Sequence, residues 1–221
     1  MPVSVSDNRF RLFAEAYAGK MGLPIFPCVP NGKAPATPRG FHDASKDPSR
    51  VAEWWQGESA YNVAIATGNG LVVLDVDIDH ERGKYGDETL AVLEWLNGPL
   101  PDTWMCLTGG GGVHYYFRCD DPKLTTGVNF APGLDYRGAG GYVIAPPSIH
   151  ESGRRYEWEA AHTPTSLPLA PLPDWLHRLM LGVRSPRPQR SKGKRMARRK
   201  SWRADGMTLC SRWHPPSGPR A

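Results

Sequence analysis

Gly70-Leu71-Val72-Val73-Leu74-Asp75-Val76-Asp77-Ile78-Asp79 is the stretch that decides how this chain is read. Four apolar residues, two of them β-branched, predict a strand whose successive side chains point to opposite faces of a sheet. Asp75 and Asp77 are two positions apart, so the strand delivers both carboxylates to one face. Two like charges held that close repel each other unless a cation sits between them. Hard divalent cations want oxygen ligands, and magnesium typically takes one or two carboxylates plus substrate phosphates. Asp79 has the parity to share the face, but His80-Glu-Arg-Gly83 ends the strand and leaves it an outer carboxylate. Asp-x-Asp on its own also occurs in phosphatases, in glycosyltransferases and at ordinary strand ends, so the rest of the chain has to discriminate.

Two further clusters lie downstream. In Thr108-Gly-Gly-Gly-Gly-Val-His114 the glycines, Gly111 and Gly112 among them, let backbone amides approach phosphate oxygens and adopt positive φ, with Thr108 beside them. On the strand that follows, His114, Tyr116 and Arg118 share one face, with Tyr115 and Phe117 on the other. His114 and Arg118 are therefore expected to reach a triphosphate together while the aromatics pack. The competing reading is a hairpin turn followed by a surface histidine. In Asp135-Tyr136-Arg137 the two charged residues face the same way, one suited to a metal and the other to phosphate. Against that stands a plain ion pair on a sheet surface, of little energetic consequence. Lys33, in Gly32-Lys33-Ala34-Pro35, adds a cation near phosphates or template, although the surrounding residues are not a Walker loop and none occurs in the chain. Ser148 and His150 are read as structural.

Charge is unevenly placed. Of 27 Lys and Arg and 22 Asp and Glu, residues 184–221 hold 12 of the former and only Asp205 of the latter, a net of +11. Residues 1–183 are left at −6. An acidic body with a basic tail fits a metal-loaded site next to a nucleic-acid tether; the bland alternative is a solvated tail that aids solubility. The four cysteines include no Cys-x-x-Cys pair, the first residues lack the apolar core of a signal peptide, and no apolar run approaches the ~20 residues that span a bilayer. A soluble, cytoplasmic protein with reduced thiols and no membrane partner is the expectation.

Periodicity and turn residues predict an α+β protein. Helices are expected over 9–21, from Asp47-Pro48 through Trp55, over 87–96 and over 174–181. Strands are expected over 62–66, 71–77, 103–107, 113–118, 134–137, 141–145 and 154–158. The first two are read as neighbours joined by the Thr67-Gly-Asn-Gly70 turn. After Gly182 the chain turns to Arg, Lys, Pro, Ser and Gly, which places a domain over 1–182 and a disordered basic tail over 183–221.

Taken in order, these clusters resemble the bifunctional DNA primase/polymerase domain of the archaeo-eukaryotic primase superfamily. The likeness rests on Asp75 and Asp77, the glycine turn ending in His114, and Asp135 with Arg137 before a glycine. It extends to Gly32-Lys33-Ala-Pro35, Ala44-Ser-Lys-Asp47, Trp54-Trp55, Asn62-Val-Ala-Ile-Ala-Thr-Gly68 and Gly140-Gly-Tyr-Val-Ile-Ala-Pro-Pro-Ser148, covering roughly residues 9–180. The resemblance implies an RRM-like antiparallel sheet beside a second, small α/β lobe, with the site in the cleft between them. It implies metal-dependent nucleotidyl transfer from (d)NTPs on a single-stranded DNA template. Asp75, Asp77 and Asp135 would be the catalytic residues holding Mg2+ or Mn2+ in a two-metal site, and His114 and Arg137 would hold the incoming triphosphate. A replicative helicase on a separate chain is a further implied partner, and phage or plasmid replication the implied setting.

Three other readings stay open. A haloacid-dehalogenase-type phosphatase also begins with Asp-x-Asp, but wants Thr or Val where this chain has Asp79. A glycosyltransferase leaves the His114 and Asp135 clusters unexplained. A replication protein that binds DNA or nucleotides without catalysis would keep the fold and need none of the three carboxylates.

Overall fold

The computed structural model of the chain describes residues 7–56 and 60–183, which lie in one compact unit. The disordered basic tail expected over 183–221 falls outside the described residues, Val183 excepted. In chain order the elements are α1 (Asp7–Gly19), β1 (Ile25–Cys28), α2 (Pro48–Trp54), β2 (Asn62–Ala66), β3 (Gly70–Val76), β4 (Ile78–Asp79), β5 (Lys84–Tyr85), α3 (Gly86–Asn97), β6 (Met105–Leu107), β7 (Val113–Cys119), β8 (Thr126–Ala131), β9 (Leu134–Arg137), β10 (Tyr142–Ala145), β11 (Glu157–Trp158) and α4 (Asp174–Met180). The class is α+β, as the periodicities predict.

Local chemistry explains the helix positions. Along α1 the stripe Phe10, Ala14, Tyr17 and Ala18 is buried. At α2 Asp47 is the N-cap: its Oδ1 accepts from the Ser49 N–H at 2.9 Å, and Pro48 fills the first turn, where no N–H is needed.

Two antiparallel sheets carry the fold. The smaller has the order β1-β2-β10 and the larger β11-β6-β7-β3-β9-β8. β3 sits inside the larger sheet with both faces covered, which is why its sequence runs apolar almost without a break. Leu71 and Val73 enter a core shared with α1 and the smaller sheet. Val72, Leu74 and Val76 enter a second core with Phe117, Leu134 and Leu176, beneath α3 and α4. Asp75 follows Leu71 and Val73 in parity, so it comes out on the side facing the smaller sheet.

The expectation that residues 62–66 and 71–77 are paired neighbours is not met. β2 pairs with β1 and β10, whereas β3 pairs with β7 and β9. Gly68, Asn69 and Gly70 all have positive φ, so the turn carries the chain from one sheet to the other instead of folding it back in plane. Thr67 fastens this crossing by donating its hydroxyl to Gly138 O at 2.7 Å. The crossing opens the groove that Asp75 faces. β8 and the β4–β5 hairpin went unforeseen. Asn129 at φ 51 and a register shift between Gly127 and Ala131 erase the alternation that marks a strand. Among the described residues no helix is long and apolar enough to cross a membrane.

Candidate active site

Strand register assembles the chemistry in one row. Asp75 on β3 is directly opposite His114 on β7 and Asp135 on β9, and Arg137 is opposite Val73 one step along. His114 Nε2 stands 3.4 Å from Asp75 Oδ1, and Arg137 Nη2 lies 3.6 Å from Asp75 Oδ2 and 2.9 Å from Asp135 Oδ2. Burial pushes the Asp75 carboxyl up, but His114, Arg137 and Lys33 outweigh it and hold the group below the ordinary aspartate value. It is therefore a partly buried, ionised carboxylate at neutral pH. His114 Nδ1 is buried and has no hydrogen-bond partner among the described residues.

The other two carboxylates are held differently. Asp77 is nearly half exposed and pairs with Lys84 Nζ at 3.0 Å. Asp135 accepts at Oδ1 from the Asn129 N–H at 2.6 Å and at Oδ2 from Arg137, so Arg137 lies against both it and Asp75. Among the described residues no group of three His, Cys, Asp or Glu side chains stands ready to hold a metal ion. Each carboxylate has a basic neighbour instead. Asp79 caps the following turn, accepting from the Arg82 N–H at 3.2 Å, and lines the same chamber as Asp75 and Asp77.

Around this row the cleft forms connected chambers that share Lys33, Asp75, His114 and Tyr156. One, of about 300 Å³, runs past Arg137 to Gly140, Gly141 and Tyr142. Another, of about 210 Å³, runs past Asp77, Thr108, Gly110 and Gly112 to Lys84 and His150. A third, of about 260 Å³, lies between the Lys33 loop and His150 with Glu151. The Lys33 loop is pinned to the smaller sheet, since Gly32 O accepts from Asn62 Nδ2 at 2.9 Å and Lys33 O from the Tyr142 hydroxyl at 3.0 Å. Lys33 lines all three chambers.

The glycine turn is as much packing as ligand loop. A Cβ on Gly112 would sit 2.3 Å from Val76 O, and one on Gly109 2.3 Å from the His150 Cβ. Thr108 closes the turn, its Oγ1 accepting from the Gly112 N–H at 3.0 Å. Gly110 and Gly112 line the cleft, whereas Gly111, at φ 105, supplies the bend.

Of the residues singled out by sequence, Lys33, Asp75, Asp77, Thr108, Gly112, His114 and Arg137 meet around one cleft, with Asp135 set behind Arg137. Arg118 does not join them. It is exposed, opposite Leu71, with the fully buried Tyr116 between it and His114, and four residues of strand put it about 13 Å along β7. Parity was right for Arg118 but distance was not. Sequence reasoning missed Lys84, Tyr142 and Tyr156, and took His150 as structural. Tyr156 is 2% exposed, and its ring lies between those of His114 and His150, at 6.2 and 6.0 Å. No spacing signal announces it, because residues 154–158 meet the site only through tertiary packing. Ser148 is structural as expected: its Oγ accepts from the Val63 N–H at 2.8 Å within the smaller sheet's core.

No curated protein matches the chain. The family described as bifunctional DNA primase/polymerase, N-terminal, matches residues 14–175. Every residue of the cleft from Lys33 to Tyr156 falls inside that stretch, and the chain belongs to the bifunctional DNA primase/polymerase N-terminal family.

Proposed function

We propose that the protein is a DNA primase-polymerase that joins nucleoside triphosphates on a single-stranded DNA template. The observation that carries this reading is the row of Asp75 between His114 and Asp135, in which Asp75 and His114 open to a cleft lined with Lys33 and Arg137. The family supports a DNA primase/polymerase class of activity. We equate the six-stranded sheet with the RRM-like sheet of the family and the α1, α2 and three-stranded-sheet layer with its second lobe.

The donor set fits Mg2+ or Mn2+. Asp75 and Asp77 offer hard oxygen ligands along one face of the cleft, and Asp135 is register-paired to Asp75. They do not close a cage by themselves, which suits a cation that takes one or two carboxylates and completes its shell with phosphate oxygens and water. Bound there, such ions neutralise triphosphate charge and lower the pKa of the attacking hydroxyl. The chain's own residues do the rest. Lys33 and Arg137 offset negative charge on the phosphates, and Arg137 brings a planar fork of donors suited to two oxygens at once. His114, 3.4 Å from Asp75, lines both chambers, and the Gly110–Gly112 turn allows close backbone approach. Placed together, these groups hold a triphosphate in line for displacement of pyrophosphate.

The test is primer synthesis on unprimed single-stranded DNA with labelled nucleotides and either metal, using the Asp75→Ala/Asp77→Ala double variant as control. Oligonucleotides from the native chain alone establish a primase. Extension of a supplied primer without initiation leaves a polymerase that needs a partner, such as a separate replicative helicase. No incorporation in either format moves the reading to a non-catalytic DNA- or nucleotide-binding accessory protein.

The basic residues 184–221 are proposed as a template tether. Deleting them should weaken single-stranded DNA binding and flatten its salt dependence while leaving Mn2+ binding unchanged, as read by fluorescence anisotropy across a salt series. Equal affinities and equal slopes for both chains would sink the tether.

A further inference from the structure

The hairpin that follows the acidic strand carries a lysine back onto it. In the β4–β5 register Lys84 is opposite Asp79, and its Nζ reaches Asp77 Oδ2 at 3.0 Å. The hairpin's backbone is tied down near both ends: Asp77 N–H donates to Gly133 O at 2.9 Å, and Gly86 N–H to Asp77 O at 3.0 Å. A Cβ on Gly86 would lie 2.5 Å from Gly133 O, so that junction cannot slide. The Lys84 side chain, by contrast, is half exposed on a flexible four-carbon stem and can turn without moving the backbone.

We propose that Lys84 is a resident counter-ion of Asp77 that a divalent cation displaces and that then takes a triphosphate oxygen. The inference rests on the metal-dependent reading of this cleft. Lys84 lines the same chamber as Asp75, Asp77, Thr108 and Gly112, so its ammonium, paired with Asp77 Oδ2, competes there with any cation that Asp77 would bind. An ion pair this exposed adds little to folding stability. Its consequence is for occupancy: a cation binding Asp77 Oδ2 competes with the ammonium already there. Once released, that ammonium stays in the phosphate-facing chamber with Lys33, and adds to the positive charge a triphosphate meets. The same residue thus weakens binding of the metal alone and strengthens binding of the metal–nucleotide pair. An ordinary surface lysine would do neither.

The experiment is a Mn2+ titration of the full chain followed by electron paramagnetic resonance, then a dATP titration of the Mn2+-saturated protein. Lys84→Met is expected to bind Mn2+ alone about two- to fivefold more tightly, the worth of an exposed pair, and dATP about two- to fivefold more weakly. Lys84→Arg should stay near the native chain in both. Asp77→Asn separates the two levels of the argument. If Asp77→Asn loses Mn2+ affinity but Lys84→Met does not gain it, the metal reading stands and the role of Lys84 falls. If Asp77→Asn and the native chain bind Mn2+ alike, the metal reading of Asp77 falls and the role of Lys84 goes with it.

Discussion

Asp75→Asn is expected to lower nucleotide incorporation about a thousandfold, the upper range for removing one preorganised electrostatic group from a reacting site. Asparagine keeps the shape and half of the acceptor capacity but not the charge, and the charge is what the surroundings are built for. His114 lies 3.4 Å away and Arg137 3.6 Å away, with Lys33 lining the same chambers. The loss should be accompanied by a change in acid stability. Because the folded carboxyl lies below its ordinary value of 3.8, it contributes stability that is fully present above that value and fades as pH falls through the lowered one. The Asn variant should therefore be less stable near neutrality and show a flatter acid limb below pH 3.8 in circular dichroism melts. Asp79→Asn is the matched control. It removes a charge from the same chamber, two positions beyond Asp77, where the side chain caps a turn and pairs with Arg82 at 3.5 Å, and should lower incorporation far less than Asp75→Asn does. An Asp75→Asn chain that keeps a tenth of native activity would remove this carboxylate from the reaction.

Much of the site was legible because strand parity is a strict rule. His114 with Tyr116, and Asp135 with Arg137, could each be put on one face from spacing of two alone, and the register brings Asp75, His114 and Asp135 into one row, with Asp77 just past the end of β3. What parity cannot supply is distance along a strand or identity of the neighbouring strand. Arg118 has the face of His114 and is at the wrong end of it. The residues at 67–70 look like a hairpin turn by composition, yet they move the chain between sheets, because three successive positive φ values and the hydroxyl of Thr67 commit it to the crossing. Lys84 and Tyr156 were invisible for another reason. Lys84 belongs to a two-residue strand, too short for any period, and Tyr156, although inside the strand expected over 154–158, reaches the cleft only through the packing of other elements. The competing surface reading of Asp135 and Arg137 was half right: the ion pair exists, but Arg137 also reaches Asp75 and lines the cleft.

Gly138→Ala is expected to be the most damaging single-methyl change near the site. Gly138 follows Arg137 directly, and a Cβ there would lie 2.1 Å from Leu124 O and 2.2 Å from Thr125 O. Both obstacles are backbone, so no side chain can rotate out of the way. The neighbouring atoms are also committed: Ala139 N–H donates to Leu124 O at 2.8 Å, while Gly138 O accepts from Gly141 N–H and from the Thr67 hydroxyl. Relieving the clash means separating the end of β9 from the 124–125 segment, and that shifts Arg137 against Asp75 and loosens the crossing between the sheets. Overpacking of this kind costs about 3 kcal/mol. For a domain of this size that is a Tm lower by about 6–12 °C, measurable by calorimetry. Gly140→Ala tests whether steric contact, not loss of glycine as such, is responsible. Gly140 has φ 80 but, among the described residues, nothing within 4 Å of a Cβ, so only backbone strain of about 1–2 kcal/mol is expected there. A Gly138→Ala protein no less stable than Gly140→Ala would show that β9 has room to move, and that Arg137 is held by its carboxylates and not by the strand beneath it.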